Sequence, residues 1–273
     1  MARTIMQGIY QMRLTSGRLN EYLKDTSENA NEHAATPPQL MYMVDQMDQI
    51  FHEELFSFPV DVHPFSAMLL LNSYTMLAGA VREALSGHIS CTYPIARTAL
   101  ESACYGFLIG SDNDKASIWG NRHRDKDSLK RCRQMFTVSN AVSALKPVST
   151  EMAEYVQGLY DASIDFGAHP NQRSILAHAS AMAIRTDSTE GFDMTVVYGV
   201  NSWHVNHALL ACVEVSQAIA FLIAASADHH PLLDERIDVF KNWFEEKNRM
   251  AEQLAGRPID YSGPMYSSVI PPV

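Results

Sequence analysis

The sequence lacks the short motifs that mark the common nucleotide-binding and hydrolytic enzymes. It holds no P-loop, no G-x-G-x-x-G, no G-x-S-x-G, no H-E-x-x-H and no C-x-x-C. Cysteine is also sparse, and the four that occur are widely separated: Cys91, Cys104, Cys132 and Cys212. Three of them lie in apolar helical runs, where a free thiol behaves as a small hydrophobic group. We therefore expect a reduced, cytoplasmic compartment.

Positive charge is scarce as well. The chain has 21 Lys and Arg against 31 Asp and Glu, a formal net charge of −10. Proteins that coat nucleic acid need a surplus of cations to neutralise phosphates, so coating of DNA is not expected. A local basic patch remains compatible with this total charge.

Targeting and membrane segments are not expected either. Residues 1–24 carry several polar and basic side chains and no continuous apolar core, unlike a signal peptide. The longest apolar run, 208–227, has Glu214, Ser216 and Gln217 in its middle. That composition favours a buried core helix over a membrane span.

Apolar residues recur at three- and four-residue spacing along most of the chain, which predicts an all-α protein. A long helix over 66–86 ends at Gly87, and a very apolar helix over 93–109 follows with Pro94 in its first turn. Two such helices form an antiparallel hairpin, the unit of an up-down bundle. Further helices are predicted over 40–58, 128–145, 149–166, 201–227 and 231–256.

Three segments depart from this pattern. Residues 4–24 predict a helix that leads into a polar loop over 25–39, and residues 180–198 alternate as a small β-hairpin insertion. The stretch from Pro258 carries four prolines and is expected to be extended or loosely packed. The predicted organisation is an N-terminal extension (1–39), a bundle domain (40–257) and a C-terminal tail (258–273).

The apolar helix 93–109 carries two opposite charges four residues apart, Arg97 and Glu101. An exposed pair supports a helix better when the acid comes first, and here the order is reversed in apolar surroundings. Helix support alone is therefore a poor reason for the pair. Two readings stay open: a buried ion pair that ties neighbouring helices together, or a polar pocket in the bundle core.

A second polar group occupies residues 160–178. Tyr160 and Ser163 lie near the end of a predicted helix, His169 follows in a turn, and Asn171 is placed to cap the next helix. Satisfying backbone groups at a helix junction explains these residues in one reading. In the other reading they line a binding site together with Arg97 and Glu101.

Two of these segments carry a resemblance. The run YPIARTALESACYGFL (93–108), followed by Y-x2-S-x5-H-P (160–170), resembles an uncharacterised bacterial helical family loosely related to the HEPN superfamily. In that superfamily an R-x4–6-H motif at a helix start supports metal-independent RNA cleavage, often across a dimer interface. The resemblance implies that Arg173 binds phosphate and that His178 performs acid–base chemistry. It also implies RNA as the partner and no cofactor. The predicted β-hairpin and the apolar helix faces suggest a homodimer.

The R-x4–6-H motif occurs twice in the chain, since Arg82 and His88 match it as well. The position of Arg173 and His178 beside the 160–171 cluster favours the second match. Ser174 follows Arg173, whereas the superfamily prefers an amide or an acid at that position.

A third group consists of His204, His207 and Glu214, which fall near one face of a predicted helix. A histidine pair at i,i+3 can bind a metal in a helical bundle. Such sites draw on several helices, and the chain holds no Glu-x-x-His motif. Core or capping histidines are the favoured reading, and no metal ligand is assigned.

Three functional hypotheses follow. The first is an RNA-binding or RNA-cleaving HEPN-like protein that uses Arg173 and His178. The second is a non-catalytic bundle that binds a small ligand or a protein at Arg97, Glu101, Tyr160 and His169. The third is a metal-dependent bundle hydrolase. Convergence of these side chains on one reachable cleft distinguishes a functional site from scaffolding.

Overall fold

Three long helices form the centre of the protein: α3 (Pro64–Leu85), α4 (Ile89–Gly110) and α10 (Trp203–Ala224). α3 and α4 pack against each other along their length, and α10 packs on both. The structure is a computed structural model that describes residues 18–59, 61–180, 193–259 and 263–269, without the side chains of Ala168, Arg173, Ser180 and Asp193. The all-α prediction is confirmed for this part of the chain.

Shorter helices surround this centre. They are α1 (Leu19–Ala35), α2 (Met41–Gln49) with the π-helical turn Ile50–Leu55, α5 (Asp114–Gly120), α6 (Lys126–Met135), α7 (Val138–Leu145), α8 (Thr150–Ser163) with the π-helical turn Ile164–Ala168, α9 (Gln172–Leu176), the 3-10 turn Pro231–Leu233, α11 (Ile237–Ala255) and α12 (Met265–Ser268).

Close approach holds the α3–α4 hairpin together. A Cβ atom on Gly106 would lie 2.7 Å from Leu70 Cδ2, so any larger residue there would displace the Leu70 side chain. Ser66 Oγ donates to the Gly106 carbonyl at 2.7 Å across the same contact. Gly87 ends the hairpin turn at φ +80°, and a Cβ there would collide with the Tyr198 carbonyl. The predicted hairpin and its glycine end are confirmed.

The apolar helix predicted over 201–227 is α10, and it begins where Ser202 accepts a hydrogen bond from Val205 N at 3.3 Å. Every residue from Val205 to Ala224 is buried. α10 and α3 are the two described helices that are long and apolar enough to cross a membrane. The most apolar stretch of α10 is wholly buried inside the protein, and that of α3 is one-third buried.

A buried carboxylate fixes the C-terminal segment on α10. Glu214 has no solvent exposure, and its Oε1 lies 3.3 Å from Lys247 Nζ of α11. The backbone amides of Met265 and Tyr266 donate to the same carboxylate at 2.8 and 2.7 Å. Tyr155 OH of α8 donates to it at 3.3 Å. One side chain therefore joins α8, α10, α11 and α12.

The prediction of a loosely packed C-terminal tail is wrong for residues 263–269. Met265, Tyr266 and Val269 are buried, and α12 forms at their centre. Tyr266 stacks on Tyr93, with ring centroids 6.0 Å apart. Pro264 directly precedes α12, and it does not prevent burial of the large side chains that follow it.

The loop predicted over 25–39 is also wrong for most of its length, because α1 continues to Ala35. Residues 1–17 lie outside the described residues, so the predicted start at residue 4 is untested. The segment 19–35 contains no Gly or Pro that would stop a helix. His33 fixes its end, since Nδ1 donates to Leu85 O at 2.7 Å and Nε2 accepts from Asn201 N at 2.9 Å.

Several predicted helices differ in their bounds. The last one begins at Ile237 and not at Pro231, which starts a separate 3-10 turn. The helix predicted over 128–145 is broken into α6 and α7 at Phe136 and Thr137, where Thr137 Oγ1 caps α7 by accepting from Asn140 N at 3.1 Å. Pro94 lies inside α4 and not in its first turn, because α4 begins at Ile89. The turn at Gly87 allows the new helix to start immediately after His88.

The small β-hairpin predicted over 180–198 is not seen as predicted. Ala179–Ser180 (β1) pairs antiparallel with Asp193–Met194 (β2), and residues 181–192 lie outside the described residues. Val196 and Tyr198, predicted in the second strand, are not in a strand. Tyr198 N instead donates to Gly87 O at 2.9 Å, which ties this segment to the α3–α4 turn.

Glu214→Gln is expected to lower the free energy of unfolding by about 3–5 kcal/mol, because it leaves the buried Lys247 ammonium without a counter-charge. Urea denaturation followed by circular dichroism measures the effect. Glu246→Gln is the matched control, since Glu246 pairs with Arg249 on the surface and its loss should change stability far less. Equal losses in the two variants would contradict the assigned role of Glu214.

Candidate functional site

Arg97 and Glu101 of α4 meet Tyr160 of α8. Arg97 Nε donates to Glu101 Oε1 at 3.0 Å, and Nη2 donates to Tyr160 OH at 2.7 Å. The guanidinium carbon lies 4.6 Å from the centre of the Tyr160 ring. The two charged side chains are 16% and 28% exposed, so the pair lies at the edge of the bundle and not in its core. It ties two helices together and stays within reach of solvent.

Tyr105 and Arg122 extend this polar face toward the end of α4. Burial raises the pKa of Tyr105 to about 12; the charge of Glu101 adds to the shift, and Arg122 opposes it. Arg122 Nη1 lies 3.8 Å from Cys132 Sγ of α6. Tyr105 follows Glu101 by one turn of α4 and so lies on the same face of the helix.

A basic surface adjoins Arg122. The stretch 122–133, which spans the turn after α5 and most of α6, has six Lys or Arg and two Asp, a local charge of +4 in a chain of net charge −10. Apart from Arg122, these cations are exposed. A cavity of about 120 Å³ opens between α5 and α6, lined by Ser117, Ile118, Asn121, Arg124, Ser128 and Arg131. We call this the α5–α6 surface.

A separate cluster surrounds His88 at the beginning of α4. His88 Nδ1 lies 2.5 Å from Tyr22 OH and 3.7 Å from Glu83 Oε2. On the other side of the ring, His88 Nε2 lies 3.4 Å from Cys91 Sγ. The turn at Gly87 brings the last turn of α3 and the first turn of α4 together, which is why these residues meet.

Two further histidines contact Tyr198, which is hydrogen-bonded to Gly87 in the turn before His88. His178 Nδ1 is 2.7 Å from Tyr198 OH, and the Tyr198 ring stacks on His204 with centroids 4.1 Å apart. Burial lowers the pKa of His178, and the charge of His88 lowers it further. Burial also lowers the pKa of His204, and the charge of His178 makes a smaller contribution in the same direction. We call these residues, together with Glu83, His88 and Cys91, the histidine cluster.

The predicted site residues therefore do not form one site. Arg97, Glu101 and Tyr160 are in contact, whereas His178 belongs to the histidine cluster. The side chain of Arg173 lies outside the part of the chain that the structure describes. Arg82, from the other motif match, is exposed on α3.

The remaining predicted residues serve the junction between α8 and α9. Ser163 Oγ donates to Tyr160 O at 2.6 Å, within the helix. Asn171 caps α9, because its Oδ1 accepts from Ser174 N at 2.9 Å, and its Nδ2 donates to Ile164 O at 2.7 Å. His169 is exposed, and its carbonyl accepts from Asn171 N at 2.8 Å. Hydrogen bonds to backbone groups therefore explain why Ser163 and Asn171 occupy these positions.

The third predicted group separates as well. His204 belongs to the histidine cluster, while His207 and Glu214 hold the C-terminal segment. His207 Nε2 donates to Tyr266 O at 2.6 Å, and its Nδ1 lies 2.9 Å from Tyr93 OH. His207 is thus a core histidine, in agreement with the favoured reading.

Glu83, His88 and Cys91 were not predicted as site residues. The local signal was present in the sequence as His-x2-Cys directly after a glycine that ends a helix.

Comparison of the chain with protein-family models, with curated proteins and with solved structures gives no match in any of the three.

The lowered pKa values of His178 and His204 predict a loss of stability in acid. Below about pH 6.5, the usual histidine pKa, the unfolded chain binds more protons than the folded one. The stabilisation is complete above that pH and falls as the pH drops toward the lowered folded-state values. Melting temperatures at pH 7.5 and 5.5 measure this loss.

His204→Gln should reduce the difference between the two melting temperatures. The exposed His123 provides the matched control, and His123→Gln should leave the difference unchanged. An unaltered pH difference in His204→Gln would refute the assignment to this residue.

Proposed function

We propose that the protein binds RNA through the α5–α6 surface. The observation that carries the proposal is the concentration of positive charge at 122–133 in a chain that is otherwise acidic. Neutralisation of phosphates by Lys and Arg supplies most of the affinity of proteins for nucleic acids. The acidic remainder of the chain repels a polyanion, which limits the contact to a short segment.

The cavity between α5 and α6 supports phosphate as the bound group. Arg124 and Arg131 lie at its wall together with two serines and an asparagine. Guanidinium groups bind phosphate oxygens through paired hydrogen bonds, and hydroxyl and amide groups add donors. Arg124 Nε also lies 4.0 Å from Asp125 Oδ2, and this carboxylate caps α6 by accepting from Ser128 N at 2.7 Å.

A single-stranded segment fits this surface better than a duplex. The exposed turn between α5 and α6 carries His123, whose ring offers a face on which an unpaired base can stack. Beyond Arg122 the polar face continues along α4 to Arg97 and Tyr160. A strand of a few nucleotides can follow that path.

Arg124→Ala combined with Arg131→Ala is expected to weaken binding of a short single-stranded RNA by at least about tenfold, because two phosphate contacts are lost. Each lost contact should also reduce the slope of log affinity against log salt by ~0.7. Fluorescence anisotropy with labelled RNA at several salt concentrations measures both quantities.

The matched control removes the same charge elsewhere. Lys24→Ala combined with Lys241→Ala changes two exposed lysines that pair with neighbouring acids on α1 and α11. Its affinity should stay close to that of the unaltered protein. Equal affinity of the Arg124/Arg131 variant and the control would dismiss the proposed surface.

A second candidate function is RNA cleavage by Arg173 and His178, and the position of His178 supports it. Its Nδ1 is paired with Tyr198 OH, and its lowered pKa keeps the ring neutral near pH 7, the state a general base requires. Arg173 precedes it by five residues, in α9, and would supply the phosphate contact.

Arg173→Ala and His178→Ala are each expected to lower the cleavage rate of a panel of RNAs by about 100-fold or more, the range typical of a lost acid–base group. Gel assays in the presence of a chelator measure it. Asn171→Ala serves as the control for damage to α9, because it removes the cap and leaves both side chains. If all of these variants still cleave RNA at the original rate, the cleavage comes from a contaminant and not from this protein.

A further inference from the structure

The separation of His88 and Cys91 matches that of two ligands on one metal ion. Bond lengths of about 2.3 Å for zinc–sulfur and about 2.0 Å for zinc–nitrogen at a tetrahedral angle place the two ligand atoms about 3.5 Å apart. His88 Nε2 and Cys91 Sγ are 3.4 Å apart. A carboxylate oxygen of Glu83 completes a group of three ligand atoms within 4.8 Å of one another.

The frame around these three residues is rigid. Glu83 lies in the last turn of α3, and His88 and Cys91 lie at the beginning of α4. The turn between them is held by Tyr198 N, which donates to Gly87 O at 2.9 Å, and by Asn29 Nδ2, which donates to Ser86 O at 3.2 Å. The fold therefore fixes the backbone positions of the three ligand residues before any ion binds.

The orientation of His88 also suits a ligand. A histidine that binds a metal through one ring nitrogen is commonly held by a hydrogen bond at the other. Tyr22 OH is hydrogen-bonded to His88 Nδ1 at 2.5 Å. This contact orients the ring so that its Nε2 points toward Cys91. Glu83 Oε2 lies 3.7 Å from Nδ1, so its partly exposed side chain would have to rotate for the carboxylate to bind the same ion.

The charges at this position favour a cation. The carboxylate of Glu83 and the thiolate form of Cys91 are both negative, so they repel each other at this short separation. A divalent ion between the two removes this repulsion. On binding, the S–H bond breaks, an S–metal bond forms, and the proton passes to solvent.

We propose that Glu83, His88 and Cys91 bind a divalent transition metal ion of the zinc class. Thiolate and imidazole ligands favour zinc over magnesium or calcium, which prefer oxygen ligands alone. Three protein ligands leave a fourth position for water or substrate, as in catalytic zinc sites. Tyr198, which contacts the half-buried His178 and His204, is hydrogen-bonded to the turn between these ligands. The inference stands independently of RNA binding by the α5–α6 surface.

Titration of the chelator-treated full chain with Co²⁺ tests the site. A thiolate ligand gives a charge-transfer band in the near ultraviolet, and one equivalent should saturate it. Subsequent addition of Zn²⁺ should abolish the band by displacement. A chain that gives no such band overturns the proposal.

Two variants and a matched control locate the ion. Cys91→Ser should abolish the band, and His88→Gln should weaken Co²⁺ binding by about tenfold or more. Cys132→Ser changes a buried cysteine of α6, away from the cluster, and should leave the titration unchanged. Circular dichroism checks that each variant is folded. A band that persists in folded Cys91→Ser, unweakened binding in folded His88→Gln, or a band lost in folded Cys132→Ser would also overturn the site.

Discussion

The arrangement of helices depends on one buried carboxylate. A charge as fully enclosed as that of Glu214 costs several kcal/mol unless it is paired and hydrogen-bonded. Its partners are the Lys247 ammonium, the Tyr155 hydroxyl and two backbone amides of the C-terminal segment. Because these donors belong to three different elements, α10 reaches its buried state only when all three have docked. The aromatic packing around Tyr266 follows from the same contact.

α4 connects the two polar regions of the molecule. The histidine cluster lies at its N-terminal end, and the α5–α6 surface follows its C-terminal end, with Arg97 and Glu101 between them. The 22 residues of α4 span about 33 Å at 1.5 Å per residue. The two regions are thus too far apart to act on the same small molecule. Only a molecule that extended along most of α4 would contact both regions.

The long helices could be predicted from the sequence because their apolar spacing, Gly87 and Ser202 act locally. The ordered C-terminal segment could not, since it depends on amide donors meeting Glu214 some fifty residues earlier in the chain. Contact of Arg97 with Glu101 follows from helical spacing, but their contact with Tyr160 depends on how α8 packs. The histidine cluster escaped prediction because His88, His178 and His204 come from distant segments.

The Glu214 contact also has a consequence for the order of events during synthesis. Chains are made from the N-terminus, and their domains begin to fold as they emerge from the ribosome. α10 is complete well before Met265 and Tyr266 are added, so for that interval its carboxylate lacks two of its donors. The nascent chain therefore carries an apolar helix with an incompletely paired charge. Packing of the core is therefore complete only after residues 263–269 have been added.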